Sequence, residues 1–332
     1  MKRYLVILFI CVCASACCII DDDLSDCGVD MLLNYQLQLH TEMSVQLQTE
    51  LLSEAEQPVR KALEQWLSPI FTDKAKDIDL RFYSAQEDVI KHEIKEEIND
   101  NRTSYTIYLP KESYMHLALA NVADNRQVQL FGGEHSSTME LRLTESEDVG
   151  SAATGVFTAR LPMDVNDSST HFDVHLYMIT AAVALVVDPS ECPDLVSLNG
   201  RVLGTANRFS VRDSVFSYTG SHAIQMDDIF KNGTGARAEK AAAEPIQRLC
   251  LAAVGLPTQD DKSWTVKATA TLSDNRHTTT TLTVDESLKA GTLRIIKCKL
   301  NKKGELQPSA NSEVGATVEL DWKEGGDHEI DI

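Results

Sequence analysis

"VDMLLNYQLQL", Val29 to Leu39, is the stretch whose reading decides the fold. Val29, Met31, Leu33, Tyr35, Leu37 and Leu39 fall on one side of an extended chain. Asn34, Gln36, Gln38 and His40 fall on the other, with Leu32 the exception. Side chains of a strand point alternately to its two faces, so this period of two marks a half-buried β-strand.

Working downstream, "SEAEQPVRKALEQWL" changes period. Ser53 suits an N-cap, Glu54 and Glu56 the first turn, and Pro58 an early helical position. Val59, Ala62, Leu63, Trp66 and Leu67 then share one helical face, with Trp66 as a core anchor. Asp77 to Tyr83 predicts a strand, and the charged "KHEIKEEINDN" a solvated turn or hairpin end. From Thr103 on, "TSYTIYLP", "YMHLALANV", "RQVQLF", "TMELRLT" and "GVFTARLPM" alternate between Gly, Pro, Asn and Asp breakers. The polar "MDVNDSST", Met163 to Thr170, predicts a domain boundary, with "DPSECPD", Asp188 to Asp194, the competing place.

The second half restarts with "HFDVHLYMITAAVALVV". Later strands include "ANRFSVR", "SHAIQM", "QRLCLAAVGL", "GTLRIIKCKL" and "GATVELDW". "LSDNRH" reads as a hairpin turn between two threonine-rich runs, and "KNGTGARAEKAAAEP", Lys231 to Pro245, as a mobile loop without an apolar face. Many short strands with turn signals at this spacing predict a mainly β chain of two tandem antiparallel sandwiches, with one short helix in the first. The expected division is residues 1–16 leader, 17–27 tether, 28–165 N-terminal domain and 166–332 C-terminal domain.

The leader begins with Lys2 and Arg3, and Tyr4 to Ala16 is apolar but too short to span a hydrocarbon core, which takes roughly 20 residues. It reads as a secretory signal. Ala14-Ser15-Ala16-Cys17 resembles the lipobox of bacterial lipoproteins, which implies cleavage before Cys17 and acylation of its thiol and amine; Ala14 stands where leucine is commoner. Acyl chains at about 0.8 kcal/mol per buried CH₂ make a lasting membrane anchor. Asp21, Asp22, Asp23 and Asp26 follow, a tether that resembles the surface-export signal of Bacteroidetes lipoproteins.

The chain holds 31 basic and 50 acidic residues, so removing Lys2 and Arg3 leaves 29 against 50, a charge of −21. That balance argues against nucleic acid as a partner. With Cys17 lipidated, Cys18, Cys27, Cys192, Cys250 and Cys298 remain, an odd and scattered set whose pairing the sequence does not specify.

No catalytic constellation stands out: there is no G-x-S-x-G elbow, phosphate-binding loop or Cys/His metal spacing, and "HEIKE" lacks the second histidine of a zinc HExxH motif. His171, Asp173 and His175 share a strand face, but Phe172, Val174, Leu176 and Met178 occupy the opposite one, so the trio is expected to face solvent rather than hold a metal. The chain reads as non-enzymatic, with no cofactor.

The opening "C…DDDLSDC", the alternating first strand, the helix before the second strand, "IYLPKESYMHLALAN", "FDVHLYMITAAVALVV" and the tail "LKAGTLRIIKCKLNKKGELQ…VGATVELDWKEG" together resemble FimB/Mfa-type fimbrial anchor lipoproteins of Bacteroidales. Gly28 departs from the proline that often follows the cysteine there. The resemblance implies two transthyretin-like sandwiches and membership of the type V pilus system. In that system stalk subunits lose a lipidated first strand to an Arg/Lys-directed protease and accept a neighbour's C-terminal strand. An anchor keeps its lipid and first strand, stays on the outer membrane and donates only.

Between Cys17 and Val59 there is no lysine or arginine, while nine carboxylates lie there; Arg60 is the first basic residue. A protease whose pocket needs a cation finds no site ahead of the helix. For a donor strand, Val318, Leu320, Trp322, Ile330 and Ile332 are the candidate inserting residues, since strand addition sinks alternate side chains into a partner. A final hairpin in the protein's own sheet is the equal alternative. The partner implied is a fimbrial stalk subunit. The other function class is a glycan-binding surface lipoprotein, against which Trp66, Trp264 and Trp322 all fall in patterns that suggest burial.

Overall fold

The computed structural model describes residues 31–40, 56–72, 74–100, 102–123, 125–144, 147–168, 170–230, 248–309 and 314–321. The first half runs β1 (Met31–His40), α1 (Gln57–Leu67), β2 (Asp77–Ser84), β3 (Ile90–Glu97), β4 (Ser104–Leu109), β5 (Ser113–Ala120), β6 (Val128–Phe131), β7 (Glu140–Leu143), β8 (Asp148–Val149), β9 (Phe157–Asp164) and β10 (His171–Met178). The second runs β11 (Ala181–Asp188), β12 (Leu195–Leu203), β13 (Arg208–Ser210), β14 (Val215–Ser217), β15 (Ala223–Asp228) and β16 (Leu249–Gly255). It ends with β17 (Trp264–Leu272), β18 (His277–Val284), β19 (Leu293–Leu300), β20 (Leu306–Pro308) and β21 (Val314–Asp321).

Three sheets result. A seven-stranded sheet has the order β3-β2-β5-β9-β10-β1-β4. A second sheet follows β20-β19-β11-β16-β15-β12-β17-β18-β21, with β8 added against β15. A small third sheet is ordered β14-β13-β7-β6. The chain is mainly β with one α-helix among the described residues, as its alternating pattern predicted. Pairing is antiparallel except at β1/β10, β11/β19 and β8/β15.

The change of sheet falls inside the run "HFDVHLYMITAAVALVV". β10 pairs with β9 and β1 in the first sheet, whereas β11 pairs with β16 and β19 in the second. The passage is therefore at Ile179-Thr180, beyond the polar Met163 to Thr170 stretch. Alternation gave no warning, because a strand's period does not say which sheet it joins.

β11 is the hinge of the packing. Ala181, Val183, Leu185 and Val187 enter the core of the second sheet with Trp264, Val266 and Leu282. Ala182, Ala184 and Val186 join the cluster that holds Leu33, Tyr35 and Leu37 of β1 and Val59, Leu63 and Leu67 of α1. A strand covered on both faces reads as a continuous apolar run, which is how "AAVALVV" reads. An ion pair of 3.1 Å from Lys297 on β19 to Glu56, the N-cap of α1, ties the helix to the second sheet.

The third sheet joins the two halves. β7 pairs with β13, Leu141 opposite Phe209, and both residues pack with Tyr83 of β2 and Leu117 and Leu119 of β5. Asp88, at a left-handed φ of 55°, fastens this corner. Its carboxylate accepts from the Ser136 amide at 3.0 Å and the Ser137 hydroxyl at 2.8 Å, and meets the Arg212 guanidinium at 3.3 Å. Burial opposes its charge, but the hydrogen bonds from Ser136 and Ser137 prevail and hold the carboxyl below its ordinary value.

Two local readings change. "KHEIKEE" forms an edge strand, β3, rather than a turn; its charges line the outer edge of the sheet, where they discourage pairing with another chain. The helix starts at Gln57 with Glu56 as N-cap; Ser53 and Glu54 lie outside the described residues, as do residues 1–30 and the expected loop stretch 231–245. The "LSDNRH" hairpin forms as expected, with Asn275 at φ 64° in the turn.

Candidate anchoring and strand-exchange surface

β1 is built into the middle of its sheet. It runs parallel to β10, with Asn34 opposite His171 and His40 opposite Tyr177, and antiparallel to β4, with Leu32 opposite Tyr108 and Gln36 opposite Ser104. Leu33, Tyr35 and Leu37 are buried, as the alternation of the opening stretch required.

Tyr35 carries a polar bolt through this core. Its hydroxyl lies 2.8 Å from Nε2 of His116 on β5, and Nδ1 of the same ring lies 3.0 Å from the Arg81 carbonyl oxygen. A carbonyl only accepts, so Nδ1 bears the proton, Nε2 accepts and the Tyr35 hydroxyl donates. Phe82 stacks on the imidazole with centroids 4.2 Å apart. Full burial lowers the His116 pKa to about 4, against a smaller raising effect of the Arg81 carbonyl. Burial, with Tyr105 adding to it, pushes the Tyr35 hydroxyl well above its usual value.

Arg60, the first lysine or arginine after Cys17, lies in α1 and approaches Glu64 at 3.8 Å. Cutting there would mean opening a helix whose Val59, Leu63 and Leu67 are buried. Proteases bind extended backbone, so a packed helix shields the bond.

At the other end β21 pairs with β18 along its whole length, Leu320 opposite Thr278, Val318 opposite Thr280 and Val314 opposite Val284. Val318 and Leu320 are thus paired within the protein's own sheet, at its edge. Cys17, Trp322, Ile330 and Ile332 lie outside the described residues. So do Cys18 and Cys27, whereas Cys192, Cys250 and Cys298 are free thiols buried in the second half. Burial raises Cys298 to about 12 and Cys250 higher still, which suppresses the reactive thiolate.

His171 and Asp173 lie 3.4 Å apart on the solvent face, and no group of metal-ligating side chains is found among the described residues. Trp264 is buried and donates its indole N–H to the Glu286 carbonyl at 2.8 Å; Trp66 packs half-buried against the core. Sequence reasoning looked for exposed tryptophans and missed two tyrosines, Tyr108 and Tyr177, which are 59% and 60% exposed. The signal was there: Tyr108 is three residues from the buried Tyr105, hence on the opposite face, and Tyr177 shares parity with His171 and His175.

A buried first strand between two neighbours, one helix among the described residues and a last described strand paired at a sheet edge define a mainly β protein of three sheets. The chain belongs to the fimbrillin-A associated anchor proteins Mfa1 and Mfa2, which match residues 68–332. No curated protein matches it by sequence. Among solved structures it is similar to a putative adhesin from Bacteroides thetaiotaomicron at 9% identity and TM-score 0.54, covering 82% of this chain and 92% of that one. It also resembles putative polysaccharide binding proteins from the same organism at 8% identity and TM-score 0.50, covering 86% and 97%. The fimbrial anchor protein Mfa2 from Porphyromonas gingivalis gives 10% identity and TM-score 0.48, covering 82% and 90%. The family associates the chain with the cell surface and with fimbriae.

Proposed function

We propose that this protein is an outer-membrane lipoprotein that moors a type V fimbria to the cell surface and limits its length, without enzymatic activity. The leader, residues 1–16, is removed, Cys17 carries the acyl chains, and the acidic residues 17–27 form the tether to β1. What supports the reading, beside the family, is the position of β1. It is flanked on both sides and bolted through Tyr35, and no lysine or arginine lies between Cys17 and Arg60. A subunit that keeps its first strand has no groove to offer a neighbour, so it sits at the base of a filament. Its remaining route to the stalk is donation from the C-terminal end. Val318 and Leu320 continue into Trp322, Ile330 and Ile332, whose alternation suits insertion into a partner sheet.

The test is Cys17→Ala in the native cell, counting filaments on cells against filaments in the medium. Long, shed filaments are expected. Unchanged attachment and length would remove the mooring role. Deleting residues 322–332 separates the two ends of the function: the protein should stay on the membrane while filaments detach from it.

A further inference from the structure

Among the described residues the outward face of β4, β1 and β10 is open, and it is poor in charge. Charged residues make up 24% of the sequence, and β3, at the far edge of the same sheet, carries Lys91, Glu93, Lys95, Glu96 and Glu97. The outward positions of β4, β1 and β10 carry neither lysine nor arginine nor glutamate. Their one carboxylate, Asp173, lies 3.4 Å from His171. A face so poor in charge, on a protein of net charge −19, fits a neutral partner.

Its polar groups are of one kind. Asn34, Gln36 and Gln38 run down β1, Ser104 and Thr106 stand beside them on β4, and His175 on β10. Amides, hydroxyls and imidazoles offer donors and acceptors side by side, as sugar hydroxyls do in return. Gln36 is already held: its Nε2 donates to the Thr103 hydroxyl at 3.1 Å and its Oε1 accepts from the Ser104 hydroxyl at 2.9 Å. Fixing a side chain in advance lowers the entropy that binding must supply.

Aromatic rings mark the two ends of this track. Tyr108, beside the 49%-exposed Leu32, lies opposite residue 32 of β1, and Tyr177 lies opposite residue 40. Eight residues of strand separate them by about 26 Å along β1, and the two inter-strand spacings by about 10 Å across it. Exposed tyrosine presents a rigid apolar ring with a polar rim, suited to the C–H face of a pyranose. A protein partner would want a buried apolar centre, and here the centre is polar and the apolar groups are at the ends.

We infer that this face binds a neutral polysaccharide, laid along β1 between Tyr108 and Tyr177. The inference is independent of mooring, since it uses neither Cys17 nor the C-terminal strand. The experiment is binding of the purified full-length protein to an array of neutral glycans, with heparin as the anionic control, followed by calorimetry on the best neutral probe. Binding to neutral glycans and not heparin is expected. Tyr108→Ala and Tyr177→Ala should each weaken it about tenfold with thermal unfolding unchanged, the size of a lost ring contact. Tyr→Phe at either place should weaken it much less, and Val215→Ala, exposed on the third sheet, should do nothing. No neutral glycan bound, equal binding to heparin, or indifference to both tyrosine substitutions would overturn it. A dimer that Tyr108→Ala dissolves, with no glycan bound, would assign the face to a second copy instead. Cys17→Ala should leave the affinity as it is.

Discussion

β1 and β21 stand near the two ends of the chain, yet β1 lies between two neighbours and β21 pairs with one. β1 contributes Leu33, Tyr35 and Leu37 to the largest core cluster and a hydrogen-bonded bolt to β5. β21 lies along the rim of the second sheet, opposite a strand whose inward face is half threonine, with Thr278 and Thr280 buried. An edge strand has one ladder of hydrogen bonds to lose, an interior strand two. The contrast is one of anchorage: β1 is held by two ladders and a buried face, β21 by one ladder.

The contrast breaks most readily at β1. Leu37→Ala, fully buried, should cost about 2–5 kcal/mol by chemical denaturation, while Ala316→Gly on the exposed part of β21 should cost about 1 kcal/mol or less. Similar losses at both would erase the distinction.

Acid should act on the first half next. His116 is neutral in the fold, with a pKa near 4 against 6.5 when exposed, so the unfolded chain takes up the proton first. Its contribution is complete above about pH 6.5 and is lost as pH falls through 4, by about 3 kcal/mol in total. Urea midpoints at pH 7, 5.5 and 4 would trace this, and His116→Gln should flatten that part of the slope. Tyr35→Phe leaves Nε2 of His116 without its donor, at a cost of about 1–3 kcal/mol at neutral pH.

Smallest of all should be the response to removing residues 322–332 and to thiol reagents. The truncation should shift the unfolding midpoint by about 0.5 kcal/mol or less if those residues serve a partner rather than the fold. In the native protein Cys192, Cys250 and Cys298 should resist alkylation until denaturant is added, because burial disfavours their thiolates.

Particular residues show what alternation can and cannot convey. The parity of Leu33, Tyr35 and Leu37 and the helical spacing of Val59, Leu63 and Leu67 both named buried faces correctly. The same parity placed His171, Asp173 and His175 in solvent. It did not separate β10 from β11, since Phe172 to Val187 is apolar enough to serve either sheet. Nor did it foresee the third sheet, where β7 and β13 meet from residues far apart in sequence. The charge of "KHEIKEE" suggests a turn, but Ile90, His92 and Ile94 alternate with charged residues and form a strand.

The sequence by itself determined a mainly β chain, the inward faces of β1 and β10, the helix of Gln57–Leu67 and the lack of lysine and arginine between Cys17 and Arg60. These depend on local periodicity and composition, which chain order preserves. Only the tertiary structure decided that β1 lies between β4 and β10, that β11 is covered on both faces, and that Tyr108 and Tyr177 share an open one. Those depend on which strands become neighbours, and that choice is made by the burial of whole faces against one another, not by any residue's position in the chain.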